Sequence, residues 1–236
     1  MENIYTNIIN TLKRKINILI IDDDMLYLNT METMFSSPLF NVTKVLNQKH
    51  ANQETSKANR CWHCWILEVA IGKNQGGLNI LKSNRHFPFK IVFSGLKSMT
   101  IASMAMQTGA INVFDKGPGC KQLFYEEVCK TAALGFILKG KQTQYIPQFL
   151  LLKNLFLDNY REWAQKACVS IRHLERICSD CSNLTPKYLI SLFYSVYYLL
   201  RGEEKNGWDK NTKDFFFSKL LFVNKNIEKY KQKLCA

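Results

Sequence analysis

The stretch INILIIDDDML, Ile16–Leu26, runs an apolar strand straight into three consecutive aspartates. In a chain of formal net charge +13, a plain loop gains nothing from three crowded carboxylates, because like charges repel. Two arrangements make the run favourable. A hard cation such as Mg2+, held by oxygen ligands, would neutralise it. Alternatively, an aspartate caps the helix-like pattern that follows.

This strand and helix pattern open a series of five. The strand candidates are INILIID, NVTKVLN, CWILEVA, FKIVFSG and INVFDK. Between them lie MLYLNTMETMFSS, ANQETSKANR, GGLNILKSNR and SMTIASMAMQTGA, and CKQLFYEEVCKTAALGFIL follows the last. Short apolar strands alternating with helix-length segments predict a parallel sheet covered by helices on both faces. Such sheets bind ligands at the C-terminal ends of their strands. Polar residues stand at those ends: Asp22, Asp23 and Asp24 after the first strand, Glu68 after the third, Ser94 after the fourth and Lys116 after the fifth. Acids that hold a divalent metal, with a hydroxyl and an ammonium for phosphoryl oxygens, form a phosphoryl-transfer constellation.

At 236 residues and 27.4 kDa, with 47% hydrophobic and 12% aromatic residues, the chain suits one large folded domain or two small ones. Lys and Arg outnumber Asp and Glu 32 to 19, which favours a polyanionic partner: DNA, RNA or an anionic membrane surface. The first fifteen residues lack the apolar core and cleavage site of a secretory signal, and YLISLFYSVYYLL is too short to span a membrane. A cytoplasmic protein with no membrane contact is therefore expected. Its eight cysteines should be mostly reduced there. The pairs Cys61/Cys64 and Cys178/Cys181 have zinc-ligand spacing but lie more than a hundred residues apart, in segments of different character, so zinc is not expected.

On the motifs ILIIDDD, GLNILK, VFSG and TGAINVFDKGP, with Ser94 and Lys116 22 positions apart, residues 15–138 resemble the receiver (CheY-like) domain of bacterial two-component response regulators. The resemblance implies a (βα)5 doubly wound parallel sheet of receiver or flavodoxin-like type, an α/β fold. It implies metal-binding acids at Asp22, Asp23 and Glu68, a switch hydroxyl at Ser94 and a phosphoryl-contacting lysine at Lys116. It also implies Mg2+ as a cofactor, expected at low occupancy, and a sensor histidine kinase or other regulatory protein as partner. The family's phosphoacceptor position, normally Asp, is Glu68 here. Glutamate is one methylene longer, and near-attack geometry is sensitive to shifts of about 1 Å. Further departures are the missing proline in AIGKNQGG, Val113 in place of a switching aromatic, and Gly117 between Lys116 and Pro118. A receiver fixed in one state, or governed by partner binding, is the expectation. Asp22, Asp24, Ser94 and Lys116 also match the outline of haloacid-dehalogenase-type phosphatases. The next acids, Glu126 and Glu127, fall mid-helix, and a cap domain has no room, so no enzyme is expected.

Beyond LKGKQTQYIPQ the pattern is helical. Tyr160–Lys166 is a short amphipathic helix, Ala167–Val169 a turn, and Ser170 a good N-cap for a second helix. There Ile171, Leu174, Ile177 and Cys178 mark a buried face and leave Arg172, His173, Glu175, Arg176 and Ser179 outside. A short helix, a tight turn and a second helix with basic first turns suit either a helix-turn-helix reader of the major groove or an ordinary helical hairpin. The segment EWAQKACVSIRHLERIC…LTPKYLISLFYSVYYLL resembles the first helix-turn-helix of AraC-type transcription regulators, with Thr185 capping and Pro186 opening the long helix. That resemblance implies DNA contacts from Ser170, Arg172, His173, Arg176 and Lys187. Cys178 replaces the usual aromatic and Asn183 the usual glycine. FFFSKLLFVNKNIEKYKQKLCA contains no second capped unit, so specificity should require a homodimer on paired half-sites.

The expected organisation is an N-terminal segment (1–15), a receiver-like domain (16–138), a linker (139–150) and an all-α helix-turn-helix domain (151–236) with a basic tail. The expected function is a DNA-binding transcriptional response regulator independent of phosphorylation. The rival is a pseudo-receiver protein-interaction adaptor without specific DNA binding.

Overall fold

The computed structural model describes residues 2–12, 16–57, 60–72, 76–96, 98–141, 143–201 and 208–235. The chain opens with helix α1 (Glu2–Leu12) and then enters the sheet. Five strands follow: β1 (Ile16–Ile21), β2 (Phe40–Val45), β3 (Cys64–Leu67), β4 (Lys90–Ser94) and β5 (Asn112–Asp115). Alternating with them are α2 (Met25–Met34), α3 (Gln48–Thr55), α4 (Gly76–Ser83), α5 (Met99–Gln107) and α6 (Lys121–Ile137). All strands are parallel, in the order β2-β1-β3-β4-β5. That is the doubly wound, flavodoxin-like order, whose switch point lies between β1 and β3.

Burial explains the strand sequences. β3 and β4 are buried at every position and β1 at all but Asn17, so they carry near-continuous apolar runs. The edge strands β2 and β5 are only partly covered and accept Asn41, Thr43, Lys44 and Asn112. The register Ile21↔Leu67 sets Asp22 and Glu68 side by side, and Ser94↔Asp115 puts Lys116 one residue beyond Ser94, level with Gly95. The ladder continues past the strand ends through Glu68 N–H to Ile21 O (2.9 Å) and Lys116 N–H to Ser94 O (3.0 Å). Gly77 lets α4 close onto β3: a Cβ there would stand 2.0 Å from the Glu68 carbonyl oxygen.

A compact unit spans residues 14–142, and a second joins 1–13 to 143–236. The sequence set 1–15 apart as a segment of its own, yet α1 buries Ile8 and Leu12 and packs on the last helix; residues 1, 13–15 and 142 lie outside the described ones. The second unit continues with α7 (Ile146–Asn154), α8 (Tyr160–Lys166), α9 (Ile171–Ser182), α10 (Pro186–Arg201) and α11 (Lys210–Cys235). α10 is buried on nearly every side, a core helix rather than a membrane span. No described helix is long and apolar enough to cross a membrane. α11 lays Phe216, Leu220, Val223 and Ile227 against this core at spacings of three and four. The Tyr194 hydroxyl pins the α7–α8 connection, donating to Leu155 O (2.8 Å) and accepting the Leu157 N–H (2.7 Å).

Candidate functional site

The three aspartates divide their tasks. Asp24 is the N-cap of α2, its Oδ1 accepting the Leu26 and Tyr27 N–H groups at 2.9 and 3.3 Å. Asp23 Oδ2 accepts the Gly72 N–H at 2.9 Å. Asp22 turns inward, its Oδ1 on the Asp24 N–H (3.0 Å) and its Oδ2 on Lys116 Nζ (2.5 Å).

Glu68 is the centre of the site. Its Oε1 accepts the Ser94 hydroxyl at 2.5 Å and the Ala70 N–H at 3.0 Å. Its Oε2 accepts Lys116 Nζ at 2.7 Å and the Gly95 N–H at 3.2 Å. Four donors fill a carboxylate's lone-pair directions. Burial pushes the Glu68 carboxyl up, but the Ala70 N–H, Lys116 and Ser94 outweigh it and hold the group below the ordinary glutamate value. For Asp22 burial wins over the Lys116 and Asp24 hydrogen bonds, and the carboxyl lies above its usual value. Burial alone would lower Lys116, but the hydrogen bonds and charges of Asp22 and Glu68 raise it. With all three ionised the cluster carries one net negative charge. Chemically, the pocket is an ion cluster in which both oxygens of Asp22 and both of Glu68 accept a hydrogen bond or an ion pair.

Asp22, Glu68, Ser94 and Lys116 thus meet as the strand ends predict. Asp23, expected with Asp22 and Glu68 at a metal, is drawn aside by Gly72, and Lys116 lies between the other two. Among the described residues no three His, Cys, Asp or Glu side chains are grouped to hold a metal. The residues as arranged do not fit Mg2+, which demands near-octahedral oxygen ligands at 2.0–2.1 Å. Of the loop noted for its missing proline, residues 73–75 lie outside the described ones. Gly117, the insertion before Pro118, donates its N–H to Asp115 Oδ1 at 3.0 Å, closing a local turn. Sequence reasoning missed Tyr27, whose ring lies 4.2 Å from Lys116 Nζ and whose hydroxyl donates to Lys116 O at 3.2 Å. Its only signal was an aromatic in the first turn of the helix that Asp24 caps. The Ala70 and Gly95 N–H donors had none, since any residue but proline supplies them.

In the helical unit the α8–α9 turn is tight: Val169 N–H bonds Ala164 O at 3.0 Å, and Cys168 takes a φ of 54°. Ser170 caps α9, accepting the His173 N–H at 3.2 Å. α9 ends on Asn183 in the left-handed conformation (φ 58°), the place glycine usually takes. Leu174, Ile177 and Cys178 are buried against α8 and α10. Ser170, Arg172, His173 and Arg176 line one open recess; both arginines are exposed and, among the described residues, free of ion pairs. The His173 ring meets Tyr145 edge-on at 6.4 Å. Lys187 stands apart, at the start of α10, its ammonium 4.8 Å from the centre of the Phe222 ring.

No family model matches this chain, and no curated protein is similar to it. Among solved structures it is similar to a response regulator receiver domain protein of Methanospirillum hungatei, at 16% identity over 50% of this chain and 94% of that one, with a TM-score of 0.45. A chain of the CheX–CheY–BeF3–Mg2+ complex of Borrelia burgdorferi is 19% identical over 46% of this chain and 83% of that one, with a TM-score of 0.41. A chain of the Saccharomyces cerevisiae co-crystal of the phosphotransfer protein Ypd1 with the Ssk1 receiver domain is 14% identical over 52% and 92%, with a TM-score of 0.45. The strand order carries the conclusion: residues 14–142 have a doubly wound α/β fold of flavodoxin-like type, and the other described residues are helical.

Proposed function

We propose that the chain is a DNA-binding regulator whose receiver-like unit is held in one signalling state by Glu68, without phosphorylation. In a receiver, the switch hydroxyl and the lysine gather around a phosphoryl group. Here they gather around the Glu68 carboxylate, both of whose oxygens already accept a hydrogen bond or an ion pair. The helical unit is read as a single AraC-like helix-turn-helix that acts as a dimer in the cytoplasm, with the receiver-like unit as the part a regulatory protein would address. Supporting the DNA reading is one observation above the rest: Arg172 and Arg176 stand exposed, and among the described residues free of ion pairs, on a Ser170-capped helix behind a tight turn. Arginine at that place reads guanine edges or binds phosphate. Selection of randomised duplexes by the full-length protein, followed by fluorescence anisotropy, tests this. Selected duplexes should bind sequence-selectively, and Arg172→Ala or Arg176→Ala should each weaken binding by about 1–3 kcal/mol. Enrichment of no sequence would remove the reading.

A second reading, the protein-interaction adaptor, has its own support. Met25, Leu26, Leu96, Met99 and Leu123 are large apolar side chains left exposed, all at the helix starts and loop that rim the Glu68 pocket. An apolar rim around acidic residues suits a basic amphipathic partner. Absent or salt-independent DNA binding, with partner capture that Leu26→Glu abolishes, would favour it.

A further inference from the structure

We propose that the Lys116 ammonium is the pocket's own cation, occupying the place a divalent ion would need, so that the receiver-like unit keeps its state without Mg2+. The inference rests on the receiver reading of residues 14–142 and not on the DNA reading. Each inward carboxylate oxygen is already committed. Asp22 Oδ2 and Glu68 Oε2 contact Nζ at 2.5 and 2.7 Å. Asp22 Oδ1 and Asp23 Oδ2 are held by main-chain N–H groups, and Glu68 Oε1 by Ser94 and Ala70. Tyr27 covers the ammonium from the α2 side, its ring 4.2 Å away. An entering ion would break both ion pairs before it gained Asp22 and Glu68 as ligands. The lysine is tethered, so its binding costs no translational freedom, whereas a dissolved ion loses that freedom and most of its water. The pocket is neutralised from within.

The test uses full-length protein and Mn2+ as the probe, with free Mn2+ read by electron paramagnetic resonance and fold checked by circular dichroism. The readout is binding that the Asp22→Asn substitution removes. Wild-type protein should show none at about 1 mM Mn2+, a typical strength for weak carboxylate sites. Lys116→Ala should gain Asp22-dependent binding at that concentration. Should Lys116→Ala fail to fold, Glu68→Asp withdraws the carboxylate by about one C–C bond, roughly 1.5 Å, and should gain it too. Asp22-dependent Mn2+ binding by the wild type would overturn the proposal. So would a folded Lys116→Ala or Glu68→Asp protein that leaves Mn2+ free. Duplex binding measured on the same samples reports separately on the DNA reading, and its loss leaves the Mn2+ result intact.

Discussion

Lys116→Met keeps the apolar stem of the side chain and deletes its charge. In the native pocket the Lys116 side chain is 15% exposed, Asp22 8% and Glu68 7%, so little water is available to replace the ammonium. Two unit charges 4 Å apart interact by about 4 kcal/mol at an effective dielectric constant of about 20. Removing one partner of a buried ion pair costs about 3–5 kcal/mol in practice, because the other charge is left behind. Here two carboxylates are left behind, facing each other. Asp22 offers relief, since burial already places its carboxyl above the ordinary aspartate value and loss of Lys116 pushes it further. An acid whose folded-state value is raised favours folding at low pH and costs stability as pH rises through that value. The variant should therefore be about 3–5 kcal/mol less stable than wild type near pH 8 and recover part of that near pH 5. Urea unfolding followed by far-ultraviolet circular dichroism at both pH values measures it, and Asp22→Asn on top of Lys116→Met should restore part of the loss at pH 8. A deficit under about 1 kcal/mol, or one that ignores pH, would show that the cluster is solvated and the reasoning mistaken.

Two further outcomes follow from the same unit. Gly77→Ala would place a Cβ 2.0 Å from Glu68 O and 2.7 Å from Val69 Cα. Both are main-chain atoms that cannot turn away, so thermal melts should show a loss of about 3 kcal/mol or more. Burial depresses the His63 imidazole from 6.5 to about 4, and its Nδ1 is occupied by the Asn17 N–H at 2.8 Å. A depressed folded-state value means stability that is present above about pH 6.5 and lost as pH falls towards 4, by about 3 kcal/mol in all. Denaturation series at stepped pH should show this acid limb in the wild type and a flatter one in His63→Asn.

Residue type and spacing carried the sheet and four of its strand-end residues. Uninterrupted apolar runs mark strands buried on both faces, and in a parallel sheet the chain leaves each of them at the same edge. That is why Asp22, Glu68, Ser94 and Lys116 could be brought together from sequence. Whether Asp23 would join them could not be read, because the decision belongs to the Gly72 N–H, a backbone group without a sequence signature. The same limit hid the Ala70 and Gly95 donors that complete the shell around Glu68. The methylene difference between Asp and Glu was visible, whereas its consequence depends on where four donors stand. The packing partner of α1 was hidden for another reason. Its sequence is helical wherever it packs, and only Ile8 and Leu12 buried in the helical unit reveal its partner, α11.

Net charge, which first suggested nucleic acid, turns out to discriminate poorly between the two units. Residues 14–142 hold 16 basic against 9 acidic residues, and the remainder 16 against 10. General basicity would therefore produce salt-sensitive binding to any polyanion, whichever unit made it. Salt dependence becomes informative only when tied to α9. If Arg172, Arg176 and a third cation such as Lys166 neutralise about three phosphates per helical unit, affinity falls with a log–log slope of about −2.7, or about 40-fold between 50 and 200 mM salt. Two units on paired half-sites double the slope, and the same change costs about 2,000-fold. Each arginine replaced by alanine in a dimer removes two contacts and should flatten the slope by about 2 if it binds phosphate, or leave it unchanged while relaxing base preference if it reads guanine. Double replacement that alters neither slope nor preference would mean that the basic charge binds DNA without α9, and the helix-turn-helix reading would fail even though the protein retards a duplex.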